Sequence, residues 1–373
     1  MIIFVKILHI CKKYCNFAQQ NIYCMGKTLH KVLVISTGGT ITMVRDAVSG
    51  ALVPASVENF KSYIPELFTG ELNVDIQAFS SQFDSSDIGP DSWALIAQTV
   101  YDNYEHYDGF VIMHGTDTMS YTASALSFML EGLNKPVVFT GSQLPIGVLR
   151  SDAKENLLTA IEIAAAQDEH GDAIVPEVTI FFEDQLFRAN RTTKRNAEHF
   201  SAFNSYNYPA LAKAGVHITY QPHLVHYNDL KAELKLHTKY DPNVTILKIF
   251  PGIQQPAVHA ILRTKGLKAV VLETFGAGNA PSAKWLYREL KAAVDRGIII
   301  VNKTQCNTGS VEMGLYAVSL NLMKAGVLSG YDITTEALLT KMMYLLGEYP
   351  EQPELVKQLL LTNLCGEVTM DEN

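Results

Sequence analysis

The sequence contains no run of apolar residues long enough to span a bilayer, and charged residues make up only 18% of its 373 positions. A transmembrane helix needs about 20 consecutive apolar residues, so no membrane partner is expected. A basic excess is also missing, since 30 Lys and Arg stand against 38 Asp and Glu, a formal charge of −8. Nucleic-acid binding requires Lys and Arg clustered on one face, and this composition argues against it. Cysteine is scarce: of 5, Cys11, Cys15 and Cys24 sit near the start, and only Cys306 and Cys365 lie in the body. Neither a disulfide framework nor a zinc spacing results. Reduced thiols in a cytoplasmic protein, with no metal and no cofactor, are the expectation. Three phosphate- or ester-directed signatures are absent as well: G-x-x-x-x-G-K-[ST], G-x-G-x-x-G and G-x-S-x-G. Nucleotide binding and a serine elbow are thereby disfavoured.

An ordinary globular composition remains, 47% hydrophobic, in a chain long enough for two domains. Short strand-like runs alternate with helical patterns, which indicates parallel sheet with crossover helices. The expected fold class is α/β, with a larger amino-terminal, mostly parallel sheet flanked by helices. A smaller flavodoxin-like or Rossmann-like parallel domain follows. Residues 1–26 read as a disordered or over-annotated extension, with an export signal as the alternative. Residues 27–218 form the first domain, 219–242 a linker and 243–373 the second domain. The segment 176–194 reads as one strand running into a polar, basic loop. Asp152, with Glu155 three residues on, reads as a capping box.

The run "KVLVISTGGTITM" at 31–43 ends a buried strand on two glycines flanked by Thr37 and Thr40. Such a turn can simply cap a helix, or it can hold a hydroxyl clear of steric cover. A threonine hydroxyl needs a base to react. His114 stands beside a second threonine turn, "HGTDT", and reads as a packed strand-end residue. Lys194 in "NRTTKRN" is a candidate base paired with Asp117, since lysine shifts its pKa readily when desolvated; a surface lysine is the competing reading. In parallel sheets ligands sit beyond the carboxyl ends of strands. Thr40, the Gly115–Thr118 turn, Ser142 and Gly276–Asn279 all fall at such ends.

"STGGTI", "DSSD", "HGTDT", "FTGSQLP", "RSDAKENLL", "RANRTTK", "FGAGNAP" and "RGIIIVN" occur in this order. Together they resemble the bacterial-type L-asparaginases, in particular the type I, cytoplasmic branch, from about Lys31 to Thr369. The resemblance implies hydrolysis of L-asparagine to aspartate and ammonia. It makes Thr40 the nucleophile and Thr116, Asp117 and Lys194 a supporting triad. Backbone N–H groups of Gly39 and Thr116 become oxyanion donors. Asp84, Ser85, Ser86, Thr116 and Asp117 become substrate contacts, together with Asn279 from a neighbouring subunit. A homo-oligomer, a dimer or a dimer of dimers, is implied.

Two departures accompany the resemblance. The loop after the nucleophile turn, "VRDAVSGALVP", lacks the tyrosine that family members often carry; Tyr316 either fills that role or is a core residue. Some relatives carry a second asparagine site built on an arginine. Here Glu273 stands there, with Thr304 and Cys306, so allosteric activation is expected to be weak or absent. The alternatives are an asparaginase-like amidotransferase subunit and a non-catalytic asparagine-binding protein.

Overall fold

The computed structural model describes residues 30–45, 50–54, 60, 62–68, 73–230, 232–314 and 317–370. The expected extension at residues 1–26, residues 46–49 of the tyrosine-lacking loop and Tyr316 lie outside them. The first domain is built on β1 (Lys31–Gly38), β2 (Asn73–Phe83), β3 (Gly109–Met113), β4 (Val137–Thr140), β5 (Val178–Phe182) and β6 (Gln185–Arg188). Two short strands further along the chain, β9 (Ala212–Lys213) and β10 (Thr219–Tyr220), extend the same sheet. Between β6 and β9 in sequence, β7 (Thr193–Lys194) and β8 (Phe203–Asn204) form a separate antiparallel pair. The order of the sheet is β10-β9-β6-β5-β4-β3-β1-β2, with β2, β1, β3, β4 and β5 all parallel.

Strand alternation divides the core. Leu33, Ile35, Phe110, Ile112 and Phe139 face one side of the sheet, where α1 (Pro90–Asn103) and α2 (Met119–Met129) cover them. Val32, Val34, Val111, Met113 and Val138 face the other, against α3 (Ala153–Ala165). Successive strand residues point to opposite faces, so continuous apolar runs mark strands buried on both. Each fully buried Val, Leu or Ile contributes about 1.5–3 kcal/mol.

The segment 176–194 is not one strand. It folds into the antiparallel hairpin β5–β6, with Phe182 opposite Gln185. The turn rests on Glu183 at φ 60°, whose N–H donates to Asn156 Oδ1 at 3.0 Å. An Asn-Gly or Asp-Gly pair normally signals such a turn; Glu-Asp does not, and a contact from a distant helix stabilises it instead.

The second domain holds β11 (Val244–Lys248), β12 (Ala269–Thr274), β13 (Ile299–Thr304) and β14 (Leu328–Ser329), parallel and in sequence order. Helices α4 (Gln255–Leu262), α5 (Lys284–Val294) and α6 (Ala317–Lys324) cover one face; α7 (Thr335–Glu348) and α8 (Pro353–Leu360) cover the other. Helix α7 packs against α2 of the first domain, where the Phe128 and Tyr344 rings stack with centroids 6.1 Å apart. Among the described residues, no helix is long and apolar enough to cross a membrane.

The carboxyl-terminal segment is fastened by a fully buried ion pair, Lys341 Nζ to Glu367 Oε1 at 2.6 Å. Lys341 also donates to the Thr362 carbonyl at 2.5 Å. Burial pushes the Glu367 carboxyl up. The Lys341 ammonium and the N–H groups of Cys365 and Leu364 outweigh that and hold it below the ordinary carboxylate range. Its contribution to stability is therefore present above the unfolded carboxylate pKa and is lost as pH falls through the lowered one. Lys341→Met leaves that charge uncompensated, and urea denaturation at pH 7 should show a loss of about 3–5 kcal/mol. A midpoint unchanged from wild type would contradict this.

Candidate active site

Strand β1 ends at two glycines whose conformations other residues rarely adopt: φ is 120° at Gly38 and 87° at Gly39. A Cβ on Gly39 would lie 2.5 Å from both the Cα and the N of Gly115, in the turn after β3. The two turns therefore touch backbone to backbone, and a side chain at Gly39 would wedge them apart. Beyond the glycines the chain tightens into a 3₁₀ turn, Thr40–Thr42. Thr42 locks it, its Oγ1 donating to the Gly39 carbonyl at 2.9 Å. The two threonines flanking the glycines differ in role. Thr37 is buried and donates to the Met113 carbonyl at 2.9 Å. Thr40 is half-buried, and no described residue is recorded bonding its hydroxyl.

The turn after β3 brings Thr116 and Asp117 to the same end of the sheet. Lys194 reaches both across the chain: its Nζ donates to Thr116 Oγ1 at 2.8 Å and to Asp117 Oδ1 at 2.7 Å. The Lys194 side chain is 17% exposed and that of Asp117 70%. The ion pair thus has a covered cation and an open carboxylate. Thr116 Oγ1 also makes a long 3.5 Å contact with Gln143 Oε1. Gln143, at the end of β4, was not anticipated; the only hint in the sequence is the polar residue after "FTGS". Asp152 does not form the expected capping box. It makes no cap hydrogen bond to α3, and its carboxylate accepts instead from the N–H groups of Gln143 and Leu144, at 3.0 and 3.1 Å. Those N–H groups end a buried strand and need an acceptor more than a helix start does.

The "DSSD" segment forms a turn of its own. Asp84 Oδ1 accepts from the Ser86 N–H at 2.9 Å and from Ser86 Oγ at 2.8 Å, and these bonds hold its carboxyl below the usual range. The turn is seated on the site from two sides. Thr118 Oγ1 donates to the Ser85 carbonyl at 2.6 Å, and Ser85 Oγ lies 2.6 Å from where a Gly115 Cβ would be. Ser85 is buried and Ser86 exposed. Asp84, Ser85, Gly39, Thr116, Asp117 and Lys194 thus share one end of the first sheet.

His114 is wholly buried, and its Nδ1 lies 2.6 Å from the Gly115 carbonyl. A carbonyl can only accept, so Nδ1 carries the proton. Burial drives its pKa down to about 4, the backbone contact opposing. Within this site it is a neutral brace, in keeping with its reading as a packed residue.

Asn279, Glu273, Thr304 and Cys306 belong to the second domain and are not joined to the Thr116 cluster by any hydrogen bond among the described residues. Asn279 closes the turn after β12, its N–H donating to the Phe275 carbonyl at 2.8 Å; its Oδ1 is buried without a partner. Glu273, Thr304 and Cys306 line a cavity of about 310 Å³ together with Lys303, Thr193 and Glu336. Glu273 is neutralised rather than free: Lys248 stands 3.2 Å away and Thr335 Oγ1 donates to it at 2.9 Å. Lys303 sits directly opposite it in register, and burial pulls the Lys303 ammonium pKa down against the pull of Glu273 and Glu336.

Two family models match the chain: Asparaginase, N-terminal, over residues 31–226, and Glutaminase/Asparaginase C-terminal domain, over residues 243–360. L-asparaginase 1 of Escherichia coli K12 is 43% identical over 344 residues, covering 91% of this chain and 98% of its own length. The 60 kDa lysophospholipase of Mus musculus is 46% identical over 288 residues, 77% of this chain and 50% of that protein. The crystal structure of L-asparaginase I from Vibrio cholerae superposes with a TM-score of 0.83 at 41% identity, covering 92% of this chain and 100% of that one.

Two outcomes follow from this geometry. Gly39→Ala should separate the two turns and lower catalytic turnover by at least about 100-fold, as a 1 Å misplacement can; wild-type turnover would refute it. The His114 ring should titrate in the folded protein at about 4 rather than near 6.5. Because its folded pKa is depressed, the unfolded chain takes up the proton first. Stability, complete above the unfolded pKa, then falls with pH towards the folded value, by on the order of 3 kcal/mol. NMR of the imidazole resonance reads this directly, and a midpoint near 6.5 would contradict it.

Proposed function

Because the chain belongs to the asparaginase family, we propose that it hydrolyses L-asparagine to L-aspartate and ammonia through a threonine acyl-enzyme. The observation that carries this reading is the position of Lys194 Nζ, bonded at once to Thr116 Oγ1 and Asp117 Oδ1, beside a glycine turn that presents Thr40.

The first step is attack of Thr40 Oγ on the side-chain amide carbon. The tetrahedral oxyanion is met by the N–H groups of Gly39 and Thr116, which nothing shields because the turn carries no side chain at 39. Collapse breaks the C–N bond, and the proton given up by the Thr40 hydroxyl passes to the leaving nitrogen, which departs as ammonia. The resulting aspartyl ester is opened by a water activated through Thr116 and Lys194, which restores the Thr40 hydroxyl. A cation at 2.8 Å from Thr116 Oγ1 favours negative charge developing on that oxygen. Lys194, largely covered where Asp117 is open, is suited to hold that charge in place. Gln143 gives the Thr116 proton an acceptor.

Substrate recognition uses the rest of the same sheet end. Ser85 and Ser86 hold the α-carboxylate or orient the amine, the open carboxylate of Asp117 counters the α-ammonium, and Asp84 shapes the turn. Asn279 reaches the substrate from a neighbouring subunit, a reading supported by its buried side-chain oxygen having no partner among the described residues. The protein is accordingly read as a cytoplasmic homo-oligomer, a dimer or dimer of dimers. Tyr316, which would support Thr40, lies outside the described residues. Glu273 is paired with Lys248 and bonded by Thr335, so its charge is compensated; the position still lacks an arginine to hold a carboxylate, and asparagine activates the protein weakly or not at all.

Ammonia release from asparagine, followed over a range of concentrations, tests the reading. Thr40→Ala should abolish turnover while substrate still binds. Lys194→Met should lower kcat by about 10²–10⁴-fold, the usual weight of a proton-handling group. Binding of asparagine with no ammonia from the wild-type protein would favour the non-catalytic alternative and sink the amidase.

A further inference from the structure

We propose that Glu336 is a positioning residue for Lys194 and acts through the hydroxyl of Thr193. This rests on the reading of Lys194 given above.

Strand β7 is only Thr193 and Lys194, paired with Asn204 and Phe203. So short a strand has little backbone support, and adjacent strand residues point to opposite sides. Lys194 turns into the first domain, to Thr116 and Asp117. Thr193 turns to the second, where its Oγ1 donates to the carboxylate of Glu336. The same backbone unit thus carries a proton-handling group on one side and an anchor on the other.

Glu336 is itself held firmly. It is 9% exposed and lies in the first turn of α7, whose N-cap Thr334 accepts from the Ala337 N–H at 3.1 Å. A helix amino terminus favours a carboxylate there. Burial raises its pKa; the Thr193 hydroxyl and the Lys303 ammonium on β13 oppose that, and Glu273 on β12 adds to it. Among the described residues the Thr193 hydroxyl is the side-chain donor that, with Glu336's own backbone N–H, holds this carboxylate against its burial.

The chain before Thr193 is fixed separately. Arg191 pairs with Asp332 at 2.9 Å and donates to the Glu367 carbonyl at 3.2 Å. Asn190 Nδ2 donates to the Cys365 carbonyl at 3.0 Å, and Thr192 Oγ1 to the Arg188 carbonyl at 2.7 Å. Losing the Thr193 anchor should consequently leave the loop folded while freeing its last residue. The two Lys194 bonds, 2.8 and 2.7 Å long, leave no slack for that freedom.

The test uses full-length Thr193→Val, which keeps the shape and removes the donor. Thr193→Ser restores the donor, and Glu336→Leu removes the acceptor. Two readouts are taken: asparagine turnover, and the rate at which trace acetic anhydride acetylates Lys194, read by peptide mass spectrometry. Thr193→Val should lower kcat by about 10–100-fold with KM within about twofold, and Thr193→Ser should recover most of it. Glu336→Leu alone should lower kcat to a similar extent, and adding it to Thr193→Val should cause no further loss, because both act through one contact. Acetylation of Lys194 should rise severalfold in Thr193→Val, while Lys213, whose side chain is 70% exposed, should be unaffected. Wild-type acetylation of Lys194 in a folded Thr193→Val protein overturns the proposal. If the wild-type protein releases no ammonia, the asparaginase reading fails, and the acetylation ratio alone decides the positioning role.

Discussion

The backbone contact between Gly39 and Gly115 is the constraint on which the rest of the site depends. Neighbouring parallel strands lie about 4.8 Å apart, and side chains normally fill the space above their ends. Here neither turn carries one at the point of contact, so the Thr40 and Thr116 turns meet directly. The Ser85 hydroxyl then settles over Gly115, and Thr118 ties that turn down by its carbonyl. Three separate pieces of chain, after β1, β2 and β3, are drawn into one cluster by the absence of two Cβ atoms.

The polar groups around this cluster divide between function and support. His114 Nδ1 and Thr37 Oγ1 are engaged by backbone carbonyls, whereas the Thr40 hydroxyl has no such partner among the described residues. Asp152 braces the end of β4 and thereby the Gln143 that approaches Thr116. Lys194 comes from outside the sheet, on a loop that the second domain holds through Asn190, Arg191 and Thr193. The docking of α7 on α2 and the hold on the Lys194 loop thus join the two domains at the same place.

The charges lining the second cavity illustrate how a buried ionisable group depends on its surroundings. Glu273 alone in the sequence suggested repulsion of an anion. In the fold it is opposed across the sheet by Lys303 and bonded by Lys248 and Thr335. The expense of burying a carboxylate is reduced only when cations and donors converge on it, and three different elements supply them.

Strands β1, β3 and β4, the glycine turns and the grouping of small polar residues at strand ends were legible in the sequence, because alternation and turn chemistry are local properties. The α/β architecture of helices flanking parallel sheets followed from the same patterns, as did the identities of Thr40, Thr116, Asp117 and Lys194 as candidate groups. Their resemblance to a known family tied them into one site. What local pattern did not carry were the β5–β6 hairpin, whose turn at Glu183 depends on Asn156, and the diversion of Asp152 from its helix to a neighbouring loop. The Thr193–Glu336 anchor and the neutralisation of Glu273 were equally hidden. Each joins residues from tens to more than a hundred positions apart or depends on burial. Sequence determined which chemical groups were present and how the chain would turn beside them; tertiary packing decided which donor each buried acceptor would find, because hydrogen bonds in a dry interior are settled by proximity in space.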